Sequence, residues 1–569
     1  MRHQWRSARN ATPLTPEGRA TVPTSALIAA VSLEWSDWYR HADPTGWVLP
    51  KILRERAEAD PDRDYLRFGD GPWLSYGEVN RRANVVANAL RLLGLQPGEA
   101  VSTMLPNCED HLPLWFGILK AGGVQSPINT AYRGDFLSWV LNLPRSRFLV
   151  VAGQYLDRVE EIAGDLTSLE SVIVWSPEGS TAAVPPGLRC KSHKELLSEE
   201  DSAEPSVEVA WTDDARIMFT SGTTGRSKGV IKQHGSDYFS GRTYNEVCGV
   251  TADDTFFSCL PLFHSNAQVL GAYPAMIAGA RIAFVERYSS SNFWQQVIDA
   301  EATVLNTVSA MNYFIWNTPP SELDRAHRVR RIMAMPAPKD IYHEFKERFG
   351  IRFHEGYGLT ETGMVTYVPP GEERPGSCGK ATPGFEVFVV DPGTDRPVPP
   401  GVQGEIVVDM KLPNIVMRAY AGMPEKTAED FKNLKLHTGD LGEMDEEGYL
   451  YFRDRLKDYI RRRGENVSSM EVEAVARQFD GVDEAAAIGL KSGAGQGAED
   501  EILLCVVPSE GATVEPSALV EFMTSKMPYF AVPRFVRLMA SLPKTPTERV
   551  RKIELREEGI TADTWERPE

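Results

Sequence analysis

The sequence predicts an α/β protein: a large N-terminal domain of stacked, mostly parallel sheets with helices, carrying a β-rich subdomain, followed by a small α+β C-terminal domain. Three features predict it. From Trp47 onward, helix-like stretches such as "YGEVNRRANVVANALRLLG" alternate with short apolar runs such as "RFLVVAG" and "SVIVW", bounded by Gly, Pro and Asp. Between Phe385 and Asp409 the pattern changes to "FEVFVVDPGTDRPVPPGVQGEIVVD", strands broken by Pro/Gly turns. Near Arg455 the charge-dense "RLKDYIRRRGENVSSMEVEAVARQ" opens a third region, where Ser468, Ser469 and Glu471 mark a helix start and Met470, Val472 and Val475 its apolar side. The expected boundaries are 1–45 for an irregular extension, 46–454 for the large domain with 385–454 as its β-rich part, and 455–569 for the small domain.

Composition narrows the function. The 569 residues carry a formal charge of −18, which argues against a broad nucleic-acid or anionic-membrane surface, since such surfaces need clustered cations. The longest apolar run near the N-terminus, "ALIAAV", is far short of the ~20 residues a membrane-spanning helix needs. The six cysteines show neither C-x-x-C nor Cys/His spacing, so no disulfide framework or zinc site is indicated, and a cytoplasmic location is expected. The basic start, "MRHQWRSARN", imitates a transit peptide but is followed by no amphipathic helix or cleavage pattern.

Chemistry concentrates first in "IMFTSGTTGRSKGVIKQH", Ile217 to His234. An apolar strand runs into Thr220, Ser221, Gly222, Thr223, Thr224 and Gly225, with Lys228 just beyond, before apolar residues resume. Glycines let backbone N–H groups turn toward an anion, hydroxyls add donors and Lys228 adds a charge, a set suited to a polyphosphate. Gly229 follows Lys228, so this is not the G-x-x-x-x-G-K-[ST] phosphate loop. In "EGYGLTET", Tyr357 can stack on a purine, Thr360 can bind an α-phosphate and Glu361 can hold Mg²⁺, a cation that prefers oxygen ligands; read alone, the octet is equally a Gly-bounded turn. Asp440 in "LHTGDLG" can accept hydrogen bonds from both hydroxyls of a ribose, or cap its own turn.

These motifs, with "PLFHSN" (Pro261 to Asn266) and "DRLKDYIRRRGENVSSMEVE" (Asp454 to Glu473), stand in the order found in the adenylate-forming superfamily of acyl-CoA synthetases, luciferases and peptide-synthetase adenylation domains, which the chain resembles over most of its length. The resemblance implies an acyl-CoA ligase that joins a non-amino carboxylic acid to AMP from ATP and then to CoA. It gives Tyr357, Thr360, Glu361 and Asp440 the roles above and adds Arg455 at the ribose. It implies His264 as a gate at the mouth of the carboxylate pocket, where amino-acid-activating members carry Asp. It implies a hinge at Lys457 about which the small domain rotates between half-reactions, after which Gly464 lies against the pantetheine arm of CoA and Arg461 to Arg463 face its phosphates. Residues Asn266 to Gln268 and "VSAMNY", with small Ser309 and Ala310, are expected to line a roomy acid pocket.

One motif departs. The usual Pro-x-Thr-x-x-Gly-Lys of the family reads Pro543-Lys544-Thr545-Pro546-Thr547-Glu548-Arg549 here, so Arg549 stands for the catalytic lysine and Glu548 for the glycine. Arg and Lys differ in shape, and Glu548 brings a carboxylate beside the site. The expectation is therefore a weak or lost adenylation step, with transfer from acyl-AMP to CoA retained and a separate adenylating enzyme as partner. "MAMPAP", Met333 to Pro338, replaces the family's Gly-Gly-Ala-Pro and is expected to crowd the adenine pocket. The alternatives are a fully competent two-step synthetase and a non-catalytic nucleotide- or acyl-binding protein.

Overall fold

The computed structural model describes residues 43–176, 189–197, 201–220, 227–456, 460–462, 465–491, 500–527, 529, 531–545 and 548–568. The N-terminal extension, most of the phosphate loop (221–226), the expected hinge Lys457, and Gly464 lie outside the described residues.

Two large sheets form the body. In the eight-stranded sheet the order is Ala419–Tyr420, Lys228–Gln233, Asp214–Thr220, Val124–Pro127, Ala100–Met104, Phe148–Ala152, Ser171–Trp175, Arg189–Ser192. From Asp214–Thr220 to the far edge every neighbour is parallel, and the first two junctions are antiparallel. The nine-stranded sheet is parallel through Arg352–Leu359, Arg331–Ala334, Val304–Thr307, Thr255–Ser258, Arg281–Phe284 and Asp64–Phe68, with antiparallel hairpin strands at both edges. Strands such as Phe148–Ala152 are buried at every position, as expected of parallel strands covered by helices on both faces.

The helices follow their sequence signals. Tyr76–Leu92 begins at Ser75, whose hydroxyl accepts the Glu78 N–H at 3.2 Å, and buries Val79, Ala83, Val86 and Leu90 along one stripe. It packs on His111–Lys120 so closely that a Cβ at Gly117 would sit 2.5 Å from Val86, so only glycine fits. Fully burying one such leucine or valine contributes about 1.5–3 kcal/mol.

Strands Phe385–Val390, Gly404–Met410, Leu436–Met444 and Leu450–Arg455 form one antiparallel sheet, matching the change of pattern at Phe385. Beyond it, Val482–Lys491, Asp500–Pro508, Phe535–Leu538 and Trp565–Glu566 make a second four-stranded sheet, with the hairpin Ile460–Arg462/Glu465–Val467 alongside. Its core joins Ile460, Val472, Leu504, Leu519 and Val536. The helix expected near Ser468 runs Ser469–Ala476 with Ser468 as its cap. Met470, expected on its apolar side, is instead exposed, because Ser469, Val472, Glu473 and Ala476 form the buried stripe.

Candidate active site

Strand Asp214–Thr220 pairs with Lys228–Gln233 through Thr220↔Lys228, so the two ends of the phosphate loop are fixed opposite one another. Thr220 Oγ1 is buried without a partner among the described residues, an orphaned donor at the start of a loop suited to phosphate. Ser221, Gly222, Thr223, Thr224 and Gly225 themselves lie outside the described residues.

Strand Arg352–Leu359 turns through Thr360–Thr362 into Gly363–Tyr367, which places Thr360, half-buried, and Glu361, buried, at a hairpin tip. The hairpin lies against helix His234–Cys248: a Cβ on Gly363, which has φ +74°, would sit 2.1 Å from Ser240 Oγ. Glu361 Oε1 accepts a 2.8 Å hydrogen bond from the Tyr420 hydroxyl, and that hydroxyl accepts one of 2.9 Å from Lys228 Nζ. The ammonium also sits 4.2 Å from the Tyr420 ring centre and 3.7 Å from Asp430. Lys228 and Glu361, expected at the phosphates and the metal, are thus joined through one phenol.

Beneath them lies a buried group. Lys232 Nζ donates to the Glu361 carbonyl at 3.3 Å, and burial pushes its pKa down to about 7 against the pull of Asp237. Arg216 forks onto Asp237 at 2.6 and 2.8 Å and reaches Ser265 Oγ at 3.2 Å.

The nucleoside side is equally compact. Asp440 faces Arg455 across neighbouring strands, with Arg455 Nε 3.3 Å from Oδ1, while the Tyr357 hydroxyl donates to Oδ2 at 2.7 Å. Burial raises the Asp440 pKa, and the Arg455 charge and the Tyr357 hydrogen bond oppose it. Burial, helped by the Asp440 charge, lifts the Tyr357 phenol well above its usual value. Tyr357 is buried with its ring 6.2 Å from that of Phe452. Beside it, Met335 is half-buried, its Sδ 3.7 Å from a Cβ built on Gly356, and Pro336 is exposed.

Arg549 joins this group. As a residue it is exposed, yet its guanidinium is desolvated enough that burial and the Arg455 charge hold its pKa below the ordinary value, while Asp440 acts the other way. Its charge also reaches His264, whose pKa is pushed down to about 4, chiefly by burial, leaving a neutral imidazole. His264 Nε2 and Asn266 Oδ1 are buried without partners among the described residues. Glu548 turns away: its carboxylate meets Lys544 at 3.1 Å, and Lys544 also binds Glu484.

Some expected residues are not brought in. The backbone of Ser309 and Ala310 begins the helix Ser309–Trp316, but their side chains lie outside the described residues. Arg462, a candidate for CoA phosphates, is buried, donates to the Val532 carbonyl at 2.6 Å and sits 2.6 Å from Glu501, because the small sheet's core closes over it. Sequence reasoning missed Tyr420 and Lys232. Lys232 carried a signal, a charge directly after the apolar run "GVI"; Tyr420 carried none.

The residues present fit a nucleotide and a dication. Glu361 keeps lone pairs beyond the one given to Tyr420, and no cluster of three or more His, Cys, Asp or Glu suited to a metal occurs among the described residues. Mg²⁺ would therefore rely on Glu361 and on phosphate oxygens, its usual mode.

The same arrangement of domains is found in known proteins. Residues 53–421 match the model of the AMP-binding enzyme family, and residues 471–549 the model of the AMP-binding enzyme C-terminal domain. The chain is 32% identical to a crotonobetaine/carnitine–CoA ligase of Escherichia coli over 84% of its own length and 92% of the relative's, and 31% identical to the enzyme of that name from Salmonella heidelberg over 85% and 93%. Its fold matches the ATP-bound MatB of Rhodopseudomonas palustris with a TM-score of 0.80 at 28% identity, covering 90% of this chain and 98% of that one. A fatty acyl CoA synthetase of Mycobacterium tuberculosis matches with a TM-score of 0.66 at 26% identity, over 91% and 99%.

Proposed function

Since the chain belongs to the AMP-binding enzyme family, in its acid–CoA ligase branch, we propose that it is a complete two-step ligase acting on a non-amino carboxylic acid. The acid and ATP give an acyl-adenylate and pyrophosphate, and CoA then displaces AMP to give the thioester. The observation that carries this reading is the placement of Arg549, which shares an electrostatic neighbourhood with Asp440, Arg455 and His264. The expected loss of adenylation rested on a misfitting arginine and an intruding Glu548 carboxylate. The charge of the first is felt at Asp440 and His264, and the second is met by Lys544 at 3.1 Å.

Each residue then has a physical task. Thr220 and Lys228 meet the phosphates, Tyr357 packs on the base, and Asp440, oriented by Arg455 and Tyr357, takes the ribose hydroxyls. Glu361, held by Tyr420, would hold Mg²⁺, which when bound neutralises phosphate charge. Arg549 neutralises the charge that builds up as carboxylate oxygen and α-phosphorus approach, a preorganised electrostatic role. The neutral His264 at the pocket mouth offers a substrate ammonium no counter-charge. Gly464, Lys457 and the phosphate-loop residues 221–225 keep the roles that the family likeness implies, with the segment beyond Lys457 as the part that rotates, since Arg455 is still paired with Asp440 in the antiparallel sheet.

The test supplies purified protein with ATP, Mg²⁺ and CoA and a panel of acids including crotonobetaine, malonate and fatty acids, and measures acyl-CoA, AMP and pyrophosphate. Formation of all three with one acid supports the two-step reading. Thioester from synthetic acyl-AMP and CoA, with none from acid and ATP, overturns it in favour of a separated half-reaction.

A further inference from the structure

The last strand of the antiparallel sheet ends at Arg455, and next to it lies a buried carboxylate outside the reaction described above. Asp454 is 2% exposed. Its Oδ2 accepts the Ser469 backbone N–H and the Ser469 hydroxyl, both at 2.7 Å, with the Ser468 hydroxyl at 3.4 Å; its Oδ1 accepts the Arg455 N–H at 2.7 Å. A carboxylate from the four-stranded antiparallel sheet therefore caps the first turn of the helix Ser469–Ala476, where the partial positive charge of the helix end favours it.

The contact continues toward the last motif. Lys552 Nζ donates to the same Ser469 hydroxyl and lies 2.7 Å from Glu473 Oε1, which also accepts the Ala487 N–H at 2.9 Å. Lys552 begins the helix Lys552–Glu558, directly after the turn that carries Arg549. That turn is closed by Thr545 N–H to Arg549 carbonyl and Arg551 N–H to Pro543 carbonyl, each 2.7 Å. The contacts thus run from Asp454 through Ser469 to Lys552 and Glu473, and Lys552 follows by three residues Arg549, whose charge is felt at Asp440.

We propose that Asp454, Ser469 and Lys552 form a positioning relay that holds the turn carrying Arg549 in place for the activation step. None of the three touches the reacting atoms. The relay acts because a buried carboxylate and a half-buried ammonium are each costly without partners: Asp454 finds Ser469, and Lys552 finds Ser469 and Glu473 only when the helix that follows the Arg549 turn is docked. The inference rests on the two-step reading above.

The test uses the full chain. Asp454→Asn and Lys552→Met are compared with the unmodified protein in ATP–pyrophosphate exchange with the best acid of the panel, and in acyl transfer to CoA from that acid's synthetic acyl-AMP. The relay predicts exchange lowered about ten- to a hundredfold, the range for a reacting group misplaced by about an ångström. It predicts acyl transfer within about threefold of the unmodified protein, since a lost activation-step contact leaves the second step alone. Lys552→Arg, which keeps the charge, restores exchange. Amide hydrogen exchange, read without any acid, becomes faster at 469–476 and 548–551 in both impaired variants. Unchanged pyrophosphate exchange, equal losses in both half-reactions, or unchanged amide protection overturns the relay. An unmodified protein inactive with every acid overturns the ligase reading instead, and amide protection then still decides the relay.

Discussion

Glu548 holds a left-handed backbone, φ +61°, at the position where the family motif has glycine. A side chain there costs about 1–2 kcal/mol relative to glycine. Glu548→Gly is therefore expected to raise the unfolding free energy of the C-terminal segment by roughly 1 kcal/mol, the low end of that range, read by urea titration. It also removes one partner of Lys544 but leaves Glu484, so adenylation is expected to persist. Next to it, Arg549→Ala is expected to lower pyrophosphate exchange about 100- to 1000-fold, the usual cost of losing one preorganised donor. Arg549→Lys is the more discriminating change: retained exchange shows that the slot accepts either cation. The departure at these two positions was legible in the sequence. Its consequence was not, because the direction in which Glu548 points is decided by Lys544 and Glu484, the latter on a distant strand.

At the scale of elements, the site is a meeting of strand ends. The short strand Ala419–Tyr420 pairs with Lys228–Gln233 through Tyr420↔Val230, and this pairing alone brings the phenol between Lys228 and Glu361. Tyr420→Phe keeps the packing and removes the bridge. A hydrogen bond to a charged group is worth about 1.5–3 kcal/mol, so ATP-dependent turnover is expected to fall by roughly ten- to a hundredfold with the fold intact by circular dichroism. The contrast between Tyr420 and Tyr357 explains what the sequence could tell. Tyr357, Thr360 and Glu361 lie within five residues, so their chemistry is visible as a local pattern. Tyr420, Lys232 and Lys552 acquire their roles through register and packing between segments far apart in the chain, and no local pattern records those. The parallel sheets were legible for the same reason as the motifs, since apolar runs and helix stripes are local, whereas the exposed Met470 shows that a helix's buried face depends on its neighbours.

Across the whole molecule, burial sets a pH limit. His111, His234, His264 and His354 each have a pKa pushed from 6.5 to about 4, with desolvation the largest cause. A base whose folded pKa is depressed takes up a proton on unfolding, so stability is full above about pH 6.5 and declines as pH falls toward 4. Thermal unfolding followed at pH 7, 6, 5 and 4.5 is expected to show a midpoint dropping through this window, and substitution of His111 by an apolar residue of similar size to make the drop shallower. Nucleotide binding acts in the opposite direction: ATP at 100 times its dissociation constant is expected to add about 2.7 kcal/mol to the stability of the parts it contacts. Those parts come from separate stretches of the chain. Thr220 and Lys228 end two strands of one sheet, Glu361 tips a hairpin of another, Asp440 and Arg455 face each other in a third, and Arg549 follows last. On the proposed assignment, a chain synthesised from its N-terminus makes the phosphate-facing residues first, the base- and ribose-facing ones next and the activating cation last, so the order of the sequence follows the order in which ATP is gripped and then used.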